Sequence, residues 1–254
     1  ASRRGIATGI ATAGVSLGLI VTGPLIPAIL NTYGAEGWRV SWYALGGIAL
    51  VVSILGALFL RNRPEEMGLM PVGADANARG DGKGKTSAPF DARALFKSRL
   101  LWHLSVIYFA FGFSYVIYAT FFIRYLIGER AFSTSDAGAL WFQVGAVSIV
   151  SGWMWGAISD RWGRRATLVA VFAAQGTAFL LFGMSRDLIA IYFSGALFAL
   201  TAWSVPALMA ALAGDLFGAR GAPAVLGWMT VVFGAGPALG PLLARSIAAA
   251  PQSF

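Results

Sequence analysis

Apolar and polar positions along this chain do not mix turn by turn; they separate into blocks. Seven stretches contain no Asp, Glu, Lys or Arg: Gly5–Ala35, Val40–Leu60, Leu100–Ile123, Ala137–Ser159, Ala166–Ser185, Leu188–Gly214 and Gly221–Ala244. The shortest has 20 residues and the longest 31. A bilayer core about 30 Å thick is crossed by roughly 20 apolar residues in a helix, so every stretch is long enough to span. In hydrocarbon each backbone N–H and C=O must be satisfied internally, which leaves a helix or a closed barrel. A barrel would show segments of about ten residues with period-two alternation, and these stretches do not. A soluble helical protein needs polar faces on most of its helices, and seven uncharged runs in succession speak against it. The pattern predicts an all-α, polytopic transmembrane bundle of seven spans.

Composition adds little to this picture, and charge adds more. Of 254 residues, 57% are hydrophobic and 12% charged, and all 30 charged residues fall outside the seven stretches. There is no Cys and one His. That removes disulfides, thiolate metal sites and a cysteine nucleophile, and no metal or cofactor is expected. A net charge of +8 would suggest nucleic acid in a soluble protein. Here it reads as sidedness, because basic loops stay on the cytoplasmic face. With the N-terminus inside, the inner segments hold 14 Arg and Lys and the outer ones 5. The expected topology is N-in and C-out. Seven-span receptors and retinal proteins run the other way.

One long polar loop, Arg61–Arg99, divides the chain into residues 1–60 with two spans, the loop at 61–99, and residues 100–254 with five spans. Its centre, Gly73 to Lys85, has the composition of a flexible linker. From Pro89 to Arg99 apolar Phe90, Leu95 and Phe96 alternate with charged residues, which predicts a short amphipathic helix on the membrane surface. The chain opens on Ala1 without Met or a signal-peptide pattern and stops just past a span, so it reads as a fragment of a longer membrane protein. The first and last stretches resemble each other: Gly23-Pro24-Leu25 in one, Gly240-Pro241-Leu242 in the other, both rich in glycine. Small residues let helices approach closely in a membrane, and proline permits a bend. Gly23, Pro24, Pro206, Gly236, Pro237 and Gly240 are the expected packing and bending positions. A repeat of this kind suggests duplicated halves.

The most specific text lies between the fourth and fifth stretches: Gly156-Ala-Ile-Ser-Asp160-Arg161-Trp-Gly163-Arg164-Arg165. Chemically it offers an anion beside three arginines at a membrane boundary, and a glycine able to take positive φ in a tight hairpin. Its spelling resembles the signature loop of the major facilitator superfamily of transporters, complete at Gly156, Asp160, Arg161, Gly163, Arg164 and Arg165. In that family the loop follows the second and eighth of twelve helices. The long loop two spans upstream identifies this copy with the eighth, so the chain resembles helices five to eleven, a partial fold of the family. Arg3-Arg4-Gly5, Gly37-Trp38-Arg39, Arg63-Pro64-Glu65-Glu66-Met67-Gly68-Leu69 and Gly234-Ala235-Gly236-Pro237 resemble family text at the matching places.

The resemblance implies a permease, not an enzyme, that moves a small solute by alternating access in the bacterial inner or plasma membrane. In the family the signature Asp holds one state by meeting the start of a helix from the other half. Asp160 is therefore expected to meet the start of the first stretch, near Arg3, Arg4 and Gly5. Substrate is expected in a cavity lined by helices one, four, seven and ten, of which the seventh and tenth are present. Tyr108, Phe111, Tyr115, Tyr118 and Phe122 share one face of the seventh at helical spacing. Tyr108, Tyr115, Tyr118, Gln143, Thr201, Trp203 and Ser204 are the candidate cavity residues. His103, near the end of its span, reads as interfacial. The loop text and the aromatic stripe lean toward members that carry small organic anions. The stretches hold no carboxylate for a coupling proton or ion. The protein is expected to be monomeric in the lipid bilayer.

The alternative from another class, a seven-span receptor or retinal-type photoreceptor, needs N-out topology and, for retinal, a Lys in the last span. That span has none. An intramembrane enzyme would need a catalytic pair or metal cluster in the spans, and an ATP-driven pump a phosphate loop; neither is written here.

Overall fold

The structure, a computed structural model, describes residues 4–61, 68, 95–184 and 187–249, and side chains at 4–13, 219 and 248–249 fall outside that description. Among the described residues every regular element is a helix. In chain order they are α1 (Arg4–Tyr33), α2 (Gly37–Phe59), α3 (Arg99–Arg130), α4 (Thr134–Trp162), α5 (Arg164–Met184), α6 (Leu188–Thr201) and α7 (Ser204–Ala249). Six helical segments are long and apolar enough to cross a membrane: Gly14–Phe59, Arg99–Arg130, Thr134–Trp162, Arg164–Met184, Leu188–Gly218 and Arg220–Ile247. The first of these carries two of the seven uncharged stretches. Only the 3-10 turn Gly34–Glu36 separates α1 from α2. Of the expected surface helix at 89–99, residues 89–94 lie outside the described residues; Leu95 and Phe96 are helical, Lys97 turns, and α3 starts at Arg99. The linker at 73–85 lies outside them as well.

Helix ends are set by local chemistry. Ser133 caps α4: its hydroxyl accepts from Asp136 N at 3.0 Å and donates to Asp136 Oδ2 at 2.7 Å, which satisfies one of the orphan donors of the first turn. Two further breaks divide the last apolar segments. Pro206 cannot donate to the carbonyl one turn back, and the chain unwinds at Ala202–Trp203 between α6 and α7. The freed carbonyls are taken by side chains. Leu200 O accepts from Ser151 Oγ at 2.7 Å and Trp155 Nε1 at 2.6 Å, and Thr201 O accepts from Ser204 Oγ at 2.7 Å. Gly218, at φ 70° and ψ 171°, then breaks α7 into two arms. Pro223 sits in the first turn of the second arm, where a missing N–H costs nothing.

Two apolar clusters fill the bundle. One gathers Leu101, Tyr108, Phe111, Val171, Met209 and Met229; the other gathers Tyr118, Phe122, Leu126, Ile191 and Phe198. Their buried members all lie between residues 101 and 229, so α3 to α7 share one continuous interior. α1 joins them along α4, and the two helices run antiparallel: Asn31 meets Ser135, Gly23 meets Phe142, and Ser16 meets Ser148. The second arm of α7 runs parallel to α3, with Trp228 beside Trp102, Phe233 beside Gly112, and Gly240 beside Phe113. α2 buries only Gly37 and Ser41, and large apolar side chains along it face outward.

Candidate functional site

The loop between α4 and α5 is a single residue. α4 ends at Trp162, α5 begins at Arg164, and Gly163 between them stands at φ 88° and ψ 155°. That region of backbone space is open to glycine and closed to a residue with a Cβ. Gly163 N still donates to Ser159 O, and Thr167 N returns to Gly163 O, so the reversal loses little hydrogen bonding.

This reversal places Asp160 and Arg164 on facing turns. Arg164 Nη1 lies 2.8 Å from Asp160 Oδ1 and donates to Ser159 Oγ at 2.8 Å. Its Nε donates to Asp215 Oδ2 at 2.8 Å. One guanidinium thus ties together the end of α4, the start of α5 and the end of the first arm of α7. Its planar fork of donors suits two carboxylates approaching from different sides, which an ammonium could not match. Asp160 and Arg164 are largely sheltered, with 15% and 16% of each side chain exposed, whereas Asp215 keeps 40%. The cluster is therefore a charge-assisted junction with one open edge. Arg161 and Arg165 are exposed and add positive charge at that boundary.

Gly156 is buried one turn before Asp160, with Gly138, Gly145 and Gly152 also buried on α4. Their spacing of seven, seven and four keeps them on one helical face. A Cβ at Gly138 would collide with Pro27 Cγ and Gly23 O, and one at Gly145 would stand 2.9 Å from Ile20 N. From the other side, a Cβ at Gly23 would stand 2.8 Å from Phe142 N. Around Gly138 and Gly145 the face is thus the seam with α1. The contact expected between Asp160 and the first residues of α1 lies outside the described side chains.

The candidate cavity residues do not form one group. Tyr108 is buried between Phe111 and Phe233. Ser194 Oγ donates to Ala178 O, so the Tyr118 hydroxyl, 2.7 Å from Ser194 Oγ, is the donor in that pair. Thr201 and Ser204 spend their hydroxyl hydrogens on nearby carbonyls. Tyr115 and Trp203 do come together, edge to face at 6.4 Å, where the two apolar clusters meet. Gln143 lies apart, lining a cleft of about 360 Å³ with Arg130, Asp136 and Tyr192. Pro24 and Pro237 sit inside α1 and α7, and Gly236 and Gly240 face α3. His103 is exposed. No group of three or more His, Cys, Asp or Glu able to hold a metal occurs among the described residues.

Sequence reasoning missed Asp215, Ser159 and the Gly138–Gly145 face. Asp215 closes an uncharged stretch 51 positions after Arg164, a separation that only the fold bridges. The glycine face was readable, because a seven-residue glycine spacing on an apolar helix is itself a close-approach signal.

Over 166 residues the chain is 27% identical to a protein of Cupriavidus necator named probable sulfoacetate transporter SauU, covering 63% of this chain and 37% of that one. The chain thus spans well under half the length of the relative it matches. The family model described as Major Facilitator Superfamily matches residues 1–241, and the chain belongs to that superfamily of multi-pass membrane proteins.

Proposed function

We propose that this chain is part of a permease that carries a small organic anion across the bacterial inner membrane by alternating access, with its N-terminus in the cytoplasm. The observation that carries the reading is the guanidinium of Arg164 held between Asp160 and Asp215. Alternating access in such proteins is largely rocking of one bundle against another, and rocking requires each bundle to be rigid. The Arg164 junction fastens three helix ends within residues 100–254. The glycine face of α4 brings α1 to backbone distance, with Leu19, Ile20 and Pro27 seated against it, and it is the plane along which residues 1–60 move relative to that unit. Asp160 then has two roles: it closes the junction with Arg164, and its remaining oxygen faces the start of α1 in the state closed on that side. A helix N-terminus carries partial positive charge, and Arg3 and Arg4 add to it.

For substrate, the relative's name supports an anion carrying sulfonate or carboxylate. Tyr115 and Trp203 are this chain's best donors toward it, since the hydroxyls of Tyr118, Thr201 and Ser204 are engaged. A compensating cation comes from outside the uncharged stretches. The receptor reading has nothing in its favour beside the family match.

The test is uptake of labelled small sulfonates and carboxylates into proteoliposomes holding the intact protein. Transport of at least one anion is expected, with Asp160→Asn well below wild type at equal reconstitution. Unaltered transport by Asp160→Asn removes the switch role; transport of neutral solutes alone removes the anion.

A further inference from the structure

Just before α3 the chain doubles back on itself. Ser98 N donates to Leu95 O at 2.9 Å, and Trp102 Nε1 donates to Phe96 O at 2.9 Å. Phe96 stands edge-on to Trp228 of α7 at 4.9 Å, and Trp102 meets the same ring edge-on at 5.7 Å. Two helices thereby hold the approach to α3 in a fixed shape, and the shape encloses an open cleft of about 640 Å³.

The cleft is mixed in character. Lys97, Arg99 and His103 line it with basic groups, and Trp102, Val106 and Ile107 line it with apolar surface. Arg99, His103, Val106 and Ile107 follow one another at helical spacing on a single face. At about 1.5 Å per residue, Arg99 and Ile107 lie roughly 12 Å apart along the axis. Val106 is 62% exposed and Ile107 42%. His103 Nδ1 lies 2.7 Å from Arg99 O; a carbonyl only accepts, so Nδ1 carries its hydrogen and Nε2 stays available. Among the described residues no carboxylate pairs with Lys97 or Arg99.

Cations at the end of a membrane span, an apolar wall that continues about two turns deeper and a rigid aromatic side together match a molecule with the same division. We propose that this cleft seats an anionic phospholipid, its phosphodiester against Lys97 and Arg99 and the start of an acyl chain along Trp102, Val106 and Ile107. A free anion would meet the cations but leave the apolar wall in contact with nothing. A zwitterionic lipid would cover the wall but bring no net charge to two cations. Basic clusters at the membrane boundary draw anionic headgroups by about 1 kcal/mol per Lys or Arg, a factor of about five each. The site stands apart from the Arg164 junction and does not depend on which solute is carried.

The experiment is native mass spectrometry of the intact protein in detergent, titrated with palmitoyl-oleoyl phosphatidylglycerol or with the matching phosphatidylcholine. Wild type is expected to retain the phosphatidylglycerol preferentially. Lys97→Gln with Arg99→Gln is expected to lower that preference about 25-fold, leaving phosphatidylcholine binding as it was. Arg61→Gln, a charge lost from the same loop outside the cleft, is expected to keep it. Lys97→Glu, a change at an exposed turn that spares the fold, is expected to weaken it by at least as much as loss of Lys97 alone. Equal retention of the two lipids by wild type overturns the proposal. So does an undiminished preference in the double variant or in Lys97→Glu, or displacement of the lipid by millimolar inorganic phosphate.

Discussion

Two seams in this molecule are built on glycine, and they are built for different ends. Between α3 and the second arm of α7, the space opened by glycine is filled with rings. Phe233 lies over Gly112, meets Tyr108 in a tilted pair at 4.6 Å and stacks with Phe111 at 5.8 Å. Gly236 rides directly on the α3 backbone, where a Cβ would stand 2.6 Å from Phe113 N. Between α1 and α4, by contrast, glycine faces backbone, Pro27 and the aliphatic side chains of Leu19 and Ile20. The cross-links there are short polar ones: the hydroxyls of Ser16 and Ser148 at 2.8 Å, and Asn31 Nδ2 to Ser135 Oγ at 3.0 Å. An aromatic interlock gains many dispersion contacts and cannot shift without losing them together. A seam of short aliphatic and polar contacts has fewer and smaller knobs to withdraw. Under the alternating access proposed above, the first seam suits a contact that holds and the second one that parts.

The largest effect is expected at Gly236. Gly236→Val must push α7 off α3, since the clash is with main chain and no rotamer relieves it. Overpacking of this kind costs about 1–3 kcal/mol and more where backbone must move. Thermal denaturation of the purified intact protein should show a clear drop in melting temperature and in folded yield. Wild-type stability in this variant would mean that the α3–α7 seam is looser than its rings suggest.

Next comes Gly138→Ala, whose added methyl meets Pro27 and Gly23 O. Because α1 can back away along a seam of short contacts, the expected loss is divided unequally: transport falls severalfold, while melting temperature falls less than for Gly236→Val. A variant that loses stability as Gly236→Val does, with transport per folded molecule unchanged, would make both seams structural and dissolve the distinction.

Asp215→Asn follows. It removes one charge from the Arg164 junction while Asp160 continues to hold the guanidinium. Exposed ion pairs contribute about 0–1 kcal/mol, and Asp215 is the more exposed partner, so stability should change little. Transport should fall, because three helix ends are no longer fastened as one. The comparison to make is Asp215→Asn against Asp160→Asn in the same uptake assay, with Asp160→Asn the more damaged.

What the sequence discloses here follows from range. The blocks of uncharged residues are local, and they locate α1, α2, α4 and α5 to within a few residues, while α3 runs past its block to Arg130. The exception is the last stretches, where Pro206 and Gly218 break helices inside or beside apolar text. The one-residue turn at Gly163 was legible for the same reason, since its neighbours spell it out. Asp215 was not, because nothing near Arg164 in the chain points to a carboxylate that arrives from another helix. The aromatic stripe on α3 was seen as one face, and so it is in helical register. Its members nonetheless enter two clusters, and Tyr118 is tied to Ser194. A face is set by periodicity, whereas a neighbour is set by the packing of the whole bundle.

The smallest effect is expected at Ser16, and it bears most directly on how the α1–α4 seam is held. A serine in a helix always has a carbonyl one turn back within reach. Ser148 Oγ already lies 2.7 Å from Gly145 O, so losing the Ser16 hydroxyl leaves it satisfied. Hydrogen bonds between membrane helices average about 0.6 kcal/mol in such exchanges, and Ser16→Ala should cost no more than that. If the seam is held by shape alone, Ser16→Ala should transport as wild type does, and Ser16→Val should fail because its branched side chain has no room against α4. If instead Ser16→Ala lowers melting temperature as far as Gly236→Val does, the hydroxyl pair is the fastening. The seam that ought to part would then be held by polar bonds rather than by contact.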